Sequence, residues 1–348
     1  MTTFRIRAAA ASDLQHLYEM AKLTGGGFTN LPADKPSLTA KLERSTAAFA
    51  RGNDIDVGEF EPAELFVLIL ENVETGEVRG TCQLFTAVGQ TWPFYSYRMT
   101  TLTQHSKELN RTFRAEMLAL VTDLEGASEV GGLFLHPNER AGGLGMLLAR
   151  SRYLFIAMHR RRFADRILAE LRGIIDERGG SPFWDGVAGR FFGMGFQEAD
   201  YFNAINGHQF IADLMPKHPV YIAMLPETTR TAIGLPHPSG RAAMRMLEGE
   251  GFSYEGFIDI FDGGPTMTAR TDKVESIAHA QAMRIEAIVE PDALAAGGFK
   301  ALVATGHLAQ FRCAFATVKP QCDGIAIDSG AAEALGVGLG ETVWWVAR

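Results

Sequence analysis

Residues 129–146 read EVGGLFLHPNERAGGLGM, from Glu129 to Met146. Val130 to Leu135 is a short apolar run, as expected of a buried strand. His136-Pro137-Asn138 ends it, and Arg140, Gly143 and Gly145 follow in the spacing R-x-x-G-x-G. Beyond them Leu144, Leu147, Leu148, Leu154, Phe155 and Met158 fall at helical intervals. A glycine-rich turn therefore joins a strand to a helix N-terminus. Such a turn exposes backbone N–H groups at the positive end of a helix dipole, which suits a phosphate or pyrophosphate. A dinucleotide fold fits poorly, since G-x-G-x-x-G needs two glycines in its first three positions and an acid about 20 residues on. A Walker loop is excluded because no G-K-[ST] follows.

Outward from that stretch, strands and helices alternate. Phe4 to Arg7 alternates as a short strand, and Ser12 with Gln15 three residues on has a capping-box pattern. Leu14, Leu17, Tyr18 and Ala21 form that helix's apolar face, and Gly25-Gly26-Gly27 stops it. Leu38 to Phe49 reads as a second helix and Asp54 to Pro62 as an acidic surface insertion. Leu65 to Glu71 and Val78 to Val88 flank the turn Glu74-Thr75-Gly76-Glu77 as a hairpin. Tyr97 to Leu102 reads as a strand, and Glu108 to Leu118 is ambiguous. Downstream, Ile167 to Leu171 reads as the next strand, and Phe183 to Phe192 as a helix ended by Gly193-Met194-Gly195-Phe196. A second helix-like stretch, Arg241 to Glu250, closes similarly at Gly251-Phe252 and leads into strand-like Phe257 to Phe261. This repetition predicts two related halves, residues 1–200 and 201–348. The end of the chain, Ala301 to Val346, offers β-rich runs around a short helix, Gly330 to Leu335. It is expected either to complete the second half's sheet or to form a small β appendage.

The 348 residues, 47% of them hydrophobic, suffice for a large core and two domains. A net charge of −8 with mixed signs argues against a nucleic-acid surface. Cys82, Cys313 and Cys322 have no metal-type or C-x-x-C spacing, so inert thiols in a reducing cytoplasm are expected. No apolar run approaches a membrane span.

The order of elements resembles that of a GNAT-type acyl-CoA N-acyltransferase: an α/β (α+β) fold with a mixed sheet and helices on both faces. That resemblance implies that Arg140, Gly142, Gly143 and Gly145 wrap the acyl-CoA pyrophosphate, while Leu133 and Leu135 offer strand-edge hydrogen bonds to the pantetheine. Further blocks are more specific. Thr24 to Pro32 (TGGGFTNLP), His105 to Asn110 (HSKELN), Arg172 to Glu177 (RGIIDE), Ser181 to Trp184, Leu214 to Tyr221 (LMPKHPVY) and Ile258 to Pro265 (IDIFDGGP) resemble, in order, the arginine N-succinyltransferase family. They cover roughly residues 4–270. The tail after Arg284, the insertion Asp54 to Pro62 and the stretch Arg111 to Glu125 depart from it.

The family resemblance implies transfer of a succinyl group from succinyl-CoA to the α-amino group of L-arginine, with no metal and no tightly bound cofactor. It implies small-molecule partners, no membrane, and a homo-oligomer or a hetero-oligomer with a related subunit. Such a reaction needs a group to take the amine's proton, a donor for the thioester oxyanion and a proton or dipole for the leaving thiolate. His237 in Gly234-Leu235-Pro236-His237-Pro238 matches the family's proton donor, and its flanking prolines stiffen the backbone that aims it. Asp176, Glu177, Asp259 and Asp262 are the carboxylates available for the acceptor's guanidinium. Arg98, Lys107, Arg172 and Lys217 are available by charge for carboxylates of the substrates. His105, His136, His218, Tyr153 and Tyr221 are weaker candidates. The rival readings are another amine, such as ornithine, another acyl-CoA, or a non-catalytic acyl-CoA or arginine sensor.

Overall fold

The computed structural model describes residues 4–24, 30–52, 63–140, 142–206, 209–215 and 217–348. The glycine run at 25–27, the acidic stretch at 54–62 and Ala141 in the glycine-rich turn lie outside the described residues. The strands are β1 (Phe4–Ala8), β2 (Leu65–Asn72), β3 (Val78–Phe85), β4 (Ser96–Ser106), β5 (Arg111–Val121), β6 (Ser128–Leu135), β7 (Arg166–Glu170), β8 (Val220–Tyr221), β9 (Ser253–Asp259), β10 (Pro265–Arg270), β11 (Gln281–Val289), β12 (Phe299–Thr305), β13 (Arg312–Pro320), β14 (Ile325–Asp328) and β15 (Thr342–Ala347). They join in the order β12-β15-β11-β14-β13-β1-β2-β3-β6-β7-β10-β9-β4-β5-β8. Three helices matter most to the site: α1 (Leu14–Lys22), α2 (Lys35–Ala50) and α3 (Leu144–Met158).

The quoted stretch lies at the centre of this sheet. β6 is antiparallel to β3 on one side and parallel to β7 on the other, and α3 makes the crossover between the parallel pair. α3 is apolar over most of its surface because it is enclosed: Leu147, Leu148, Tyr153, Leu154, Phe155 and Ile156 are each at most 1% exposed. The Phe155 ring meets Phe49, Phe66, Phe163 and Phe311 at centroid distances of 6.1, 4.9, 6.2 and 5.1 Å. The central order β1-β2-β3-β6-β7-β10-β9 makes a mixed α/β sheet. Strands from before and after residue 200 share it, since β10 pairs with β7 and β9 with β4.

Local differences from expectation have physical causes. The first helix begins after a 3-10 turn at Ala11–Asp13 rather than at a Ser12 cap. Asp13, 3% exposed, accepts from the Ala10 N–H at 2.8 Å and from Arg7 Nη1 and Nη2 at 2.9 and 3.0 Å. A buried, paired acid thus fixes the chain's entry into α1. The ambiguous stretch at 108–118 is the turn and first part of β5, which pairs with β4 from Ser96↔Val121 to Ser106↔Arg111. The outer part of this hairpin is exposed on both faces, so no alternating pattern marks it.

The β-rich end closes on itself. β12 pairs with β13 as well as β15, so the five strands β12-β15-β11-β14-β13 form a small ring with no free edge. Ile285, Val303, Ala314, Val318, Ile327, Leu335 and Trp345 fill it. Asp328 caps its Ser329–Leu335 helix through the Ala331 N–H at 2.8 Å. The ring attaches to the start of the chain by Ile6↔Cys313 and Arg7↔Arg312.

Candidate active site

The glycine-rich turn has the geometry that its composition predicted. Pro137–Glu139 forms a 3-10 turn, then Gly142 (φ 68°) and Gly143 (φ 83°) take left-handed conformations that a side chain would strain. Gly143 is the N-cap of α3, and its carbonyl accepts from the Met146 and Leu147 N–H groups. The helix N–H groups ahead of these have no intrahelical acceptor and point, with the dipole, into the turn. Arg140 is exposed. Arg348 adds a cation that sequence reasoning missed. Its guanidinium lies 4.3 Å from the Phe315 ring centroid and its Nη2 3.5 Å from the Gly142 carbonyl.

β6 leads to that turn and is itself bent. The β3–β6 register shifts between Thr81 and Gln83, and Gly132 has φ 57°. A Cβ at Gly132 would stand 2.7 Å from the Gln83 side chain, so only glycine fits. The β6–β7 ladder contains Ser128↔Ile167 and Glu129↔Leu168 and then ends. The rest of β6, including Leu133 and Leu135, keeps an edge unpaired by β7, while those two side chains pack against the core around α3. An open strand edge leading to a helix N-terminus can accept an extended amide-bearing arm and then its phosphates.

His237 stands at the exit of β7. Its backbone N–H donates to the Arg172 carbonyl at 2.8 Å, and Arg172 lies two residues past the strand. The Gly234 N–H donates to the Gly263 carbonyl at 2.9 Å, tying the same segment to the β9–β10 turn. The half-buried imidazole has Nδ1 2.7 Å from Ser239 Oγ and 3.3 Å from the Ser239 nitrogen. With Nδ1–H donating to Ser239 Oγ, Nε2 is a base; with Nδ1 accepting from Ser239, Nε2–H is a donor. Burial, and secondarily the Arg172 guanidinium, lowers its pKa from 6.5, so the ring is neutral near pH 7.

Four carboxyl groups converge around β7: Glu129, Glu170, Asp259 and Asp262 influence one another electrostatically, and two of them were expected. Asp262 is buried, with Oδ2 accepting from Gly173 N–H at 2.7 Å and Oδ1 from Gly264 N–H at 2.8 Å. Asp259 Oδ1 accepts from the Phe261 and Asp262 N–H groups at 2.6 and 2.8 Å. Glu129 shares a buried polar group with Asn30, Lys41 and Arg152. Lys41 Nζ donates to the Asn30 carbonyl at 2.5 Å and to Gln83 Oε1 at 3.2 Å, and burial lowers its pKa to about 8. Desolvation is the main cause that raises the pKa values of Glu129, Glu170 and Asp262. Glu129 and Glu170 were missed. The available signal was an acid at the start of one apolar strand and at the end of the next.

Other expected residues lie apart from this group or serve their own loops. Asp176 accepts from the Arg178 and Gly180 N–H groups, both at 2.8 Å, and Glu177 is exposed. Arg98 pairs with Asp123 at 3.0 Å and lies over the Phe257 ring. Lys107 sits in the turn of the β4–β5 hairpin, and His105 beside it contacts Thr112. His136 caps the 3-10 turn, His218 is exposed, and Tyr153 is buried against Phe252. Tyr221 lies on the edge strand β8. Among the described residues no group of three His, Cys, Asp or Glu is placed to hold a metal ion. No described helix is long and apolar enough to cross a membrane.

Residues 4–276 match the family described as arginine N-succinyltransferase beta subunit, and residues 283–347 match the C-terminal domain of that subunit. A protein from Escherichia coli O139:H28 named arginine N-succinyltransferase is 40% identical over 340 residues, covering 97% of this chain and 96% of its own. One of the same name from Salmonella schwarzengrund is 40% identical over 339 residues, with the same coverage of each chain. The solved structure of arginine/ornithine succinyltransferase subunit AI from Pseudomonas aeruginosa superposes with a TM-score of 0.88 at 32% identity, covering 100% of this chain and 99% of that one. With both segments matched and the whole fold shared, the chain belongs to the arginine N-succinyltransferase family.

Proposed function

We propose that this protein transfers a succinyl group from succinyl-CoA to the α-amino group of L-arginine, releasing N2-succinylarginine and CoA. The carrying observation is the hydrogen bond from His237 N–H to the Arg172 carbonyl, which fixes the His237 segment at the exit of β7, the parallel neighbour of β6. In this reading the β6 edge around Leu133 and Leu135 holds the pantetheine. Arg140, Gly142, Gly143 and Gly145, at the N-terminus of α3, hold the pyrophosphate. His237 Nε2 exchanges the proton that the amine gives up and the thiolate takes. Asp259 and Asp262 contribute negative potential that favours a cationic acceptor. Asp176, Glu177, Arg98 and Lys107 are placed less favourably for direct contact with it. No metal or tightly held cofactor enters the scheme. A cytoplasmic enzyme, assembled from copies of itself or with a related subunit, is the setting proposed.

The test is release of CoA thiol from succinyl-CoA with a panel of amino acids. Arginine is expected to give the highest kcat/KM. A higher value with ornithine, which the Pseudomonas aeruginosa relative's name also mentions, would reassign the acceptor. Equal kcat/KM with acetyl-CoA would overturn the succinyl assignment, and binding of succinyl-CoA without turnover would favour a sensor. Light scattering of the purified chain reads its assembly.

A further inference from the structure

We propose that Glu170, together with the hydroxyl of Thr266 directly across the sheet from it, receives the guanidinium of the acceptor and so selects a cationic amino acid. This rests on the acyl-transfer reading above and adds the subsite that chooses the amine.

Strand register places the groups. Thr266 is the antiparallel partner of Glu170 between β10 and β7, and Ser96 is the partner of Asp259 between β4 and β9. Thr266 also falls opposite Phe257, two residues before Asp259. Directly paired residues, and residues two apart on one strand, share a face. Glu170, Thr266, Asp259 and Ser96 therefore line one face of the sheet. Glu129 joins them, because its parallel partner Leu168 is two residues before Glu170.

Their hydrogen bonding separates Glu170 from its neighbours. Glu129 is balanced by Asn30, Lys41 and Arg152, while Asp259 and Asp262 accept backbone N–H groups. Glu170 retains some accessible surface, yet its carboxyl is set deep among protein atoms and faces three other acids. Among the described residues no hydrogen bond or ion pair reaches it. The second observation is independent of the acids. Thr266 is 0% exposed and Ser96 1% exposed, and neither hydroxyl oxygen has a hydrogen-bond partner among the described residues. Buried polar atoms are normally paired, and a group of them left open on one face calls for a donor from outside the chain. A guanidinium supplies planar N–H donors for a carboxylate and a hydroxyl at once.

The spacing also suits an amino acid. Arg172, which anchors His237, is two residues beyond Glu170, about 7 Å along an extended chain. Arg172 Nε is itself buried with no hydrogen-bond partner among the described residues. A carboxyl group and a guanidinium so separated match the cationic side chain and the α-carboxylate of one substrate, with its amine between them near His237.

The experiment compares arginine with citrulline, its uncharged isostere, as acceptors for the intact protein and for Glu170→Gln and Thr266→Val. Glu170→Gln is expected to lower kcat/KM for arginine by roughly 30-fold or more, mainly through KM. Citrulline turnover should hold or rise, and KM for succinyl-CoA should not change. Thr266→Val should lower arginine selectivity less. The midpoint of thermal unfolding of Glu170→Gln should equal or exceed that of the parent, because the change removes a repelled carboxyl. Unaltered arginine-to-citrulline discrimination in Glu170→Gln would overturn the proposal, and so would an equal loss for both amines in a folded variant. Calorimetric titration of arginine into parent and variant reads the subsite without turnover. If the parent releases no thiol with arginine, the acyl-transfer reading fails by itself, and equal arginine affinity in both proteins would still sink the subsite.

Discussion

Replacing His237 by alanine separates proton transfer from binding. The imidazole is half-buried, and among the described residues its side-chain hydrogen bonds go only to Ser239, two residues on. Its removal should cost stability no more than about 1 kcal/mol, the range of exposed sites and weak caps. The backbone N–H that fixes the segment on Arg172 survives the change. A positioned acid or base contributes roughly 10²–10⁴-fold, about 3–5 kcal/mol of barrier. The expected result is a fall in kcat of that size with KM for succinyl-CoA unchanged. The pH dependence gives a second reading. A proton acceptor works in its neutral form, and burial with Arg172 lowers this group's pKa below 6.5. The midpoint of the rise of kcat/KM with pH should therefore lie below 6.5. Stopped-flow or steady-state thiol release from pH 5 to 9 measures both. Near-native kcat in the variant, or an acid limb that persists in it, would refute the assignment.

Three further outcomes follow from the same structure. Gly143→Ala forces a side chain into a left-handed residue, at a cost of about 1–2 kcal/mol, and against the Arg348 guanidinium. KM for succinyl-CoA should rise while arginine binding holds; an unchanged KM would count against the turn as a phosphate site. Phe155→Ala should lower stability by about 3–5 kcal/mol in chemical denaturation, because the ring is fully enclosed by four other aromatic rings and His159. Burial holds His159 at a pKa of about 4, below its ordinary 6.5, and its Nε2 accepts the Leu308 N–H. The unfolded chain binds that proton first, so this contribution, up to about 3 kcal/mol, is complete above pH 6.5 and is lost as pH falls toward 4. Glu129 and Asp262, with raised pKa values, act in the opposite sense. The difference in unfolding free energy between the parent and His159→Gln at pH 7 and pH 5 isolates the histidine; no change in that difference would contradict its buried neutral state.

What could be read from the sequence depended on how each segment is enclosed. β6 and α3 were legible because enclosure on all sides demands apolar side chains, and glycine alone suits the turn between them. β5 was not, since its outer half faces solvent on both sides. β11 has one fully buried residue, Ile285, too little for a period. The runs of the C-terminal ring were readable, but the β12–β13 pairing that closes it is a contact between segments. In the candidate site, the glycines announced a backbone geometry and His237 stood in a stiff, family-like segment. Asp262 was chosen for its charge, yet its oxygens tie together Gly173 and Gly264. Glu170 gave no signal beyond one acid at the end of a short strand, because its isolation among acids arises from four strands meeting.

The attachment of the C-terminal ring to β1 has a consequence for synthesis. β1 is synthesised ahead of both its sheet neighbours and finds β2 soon after, but its other neighbour, β13, is about 300 residues away. At roughly 5–20 residues per second, that edge stays unpaired for about 15–60 s in every nascent chain. An open strand beside a half-made sheet is a template for the wrong partner. Arg5 and Arg7, both paired with Glu71, put charge along this waiting edge and make it a poor template for a second nascent chain.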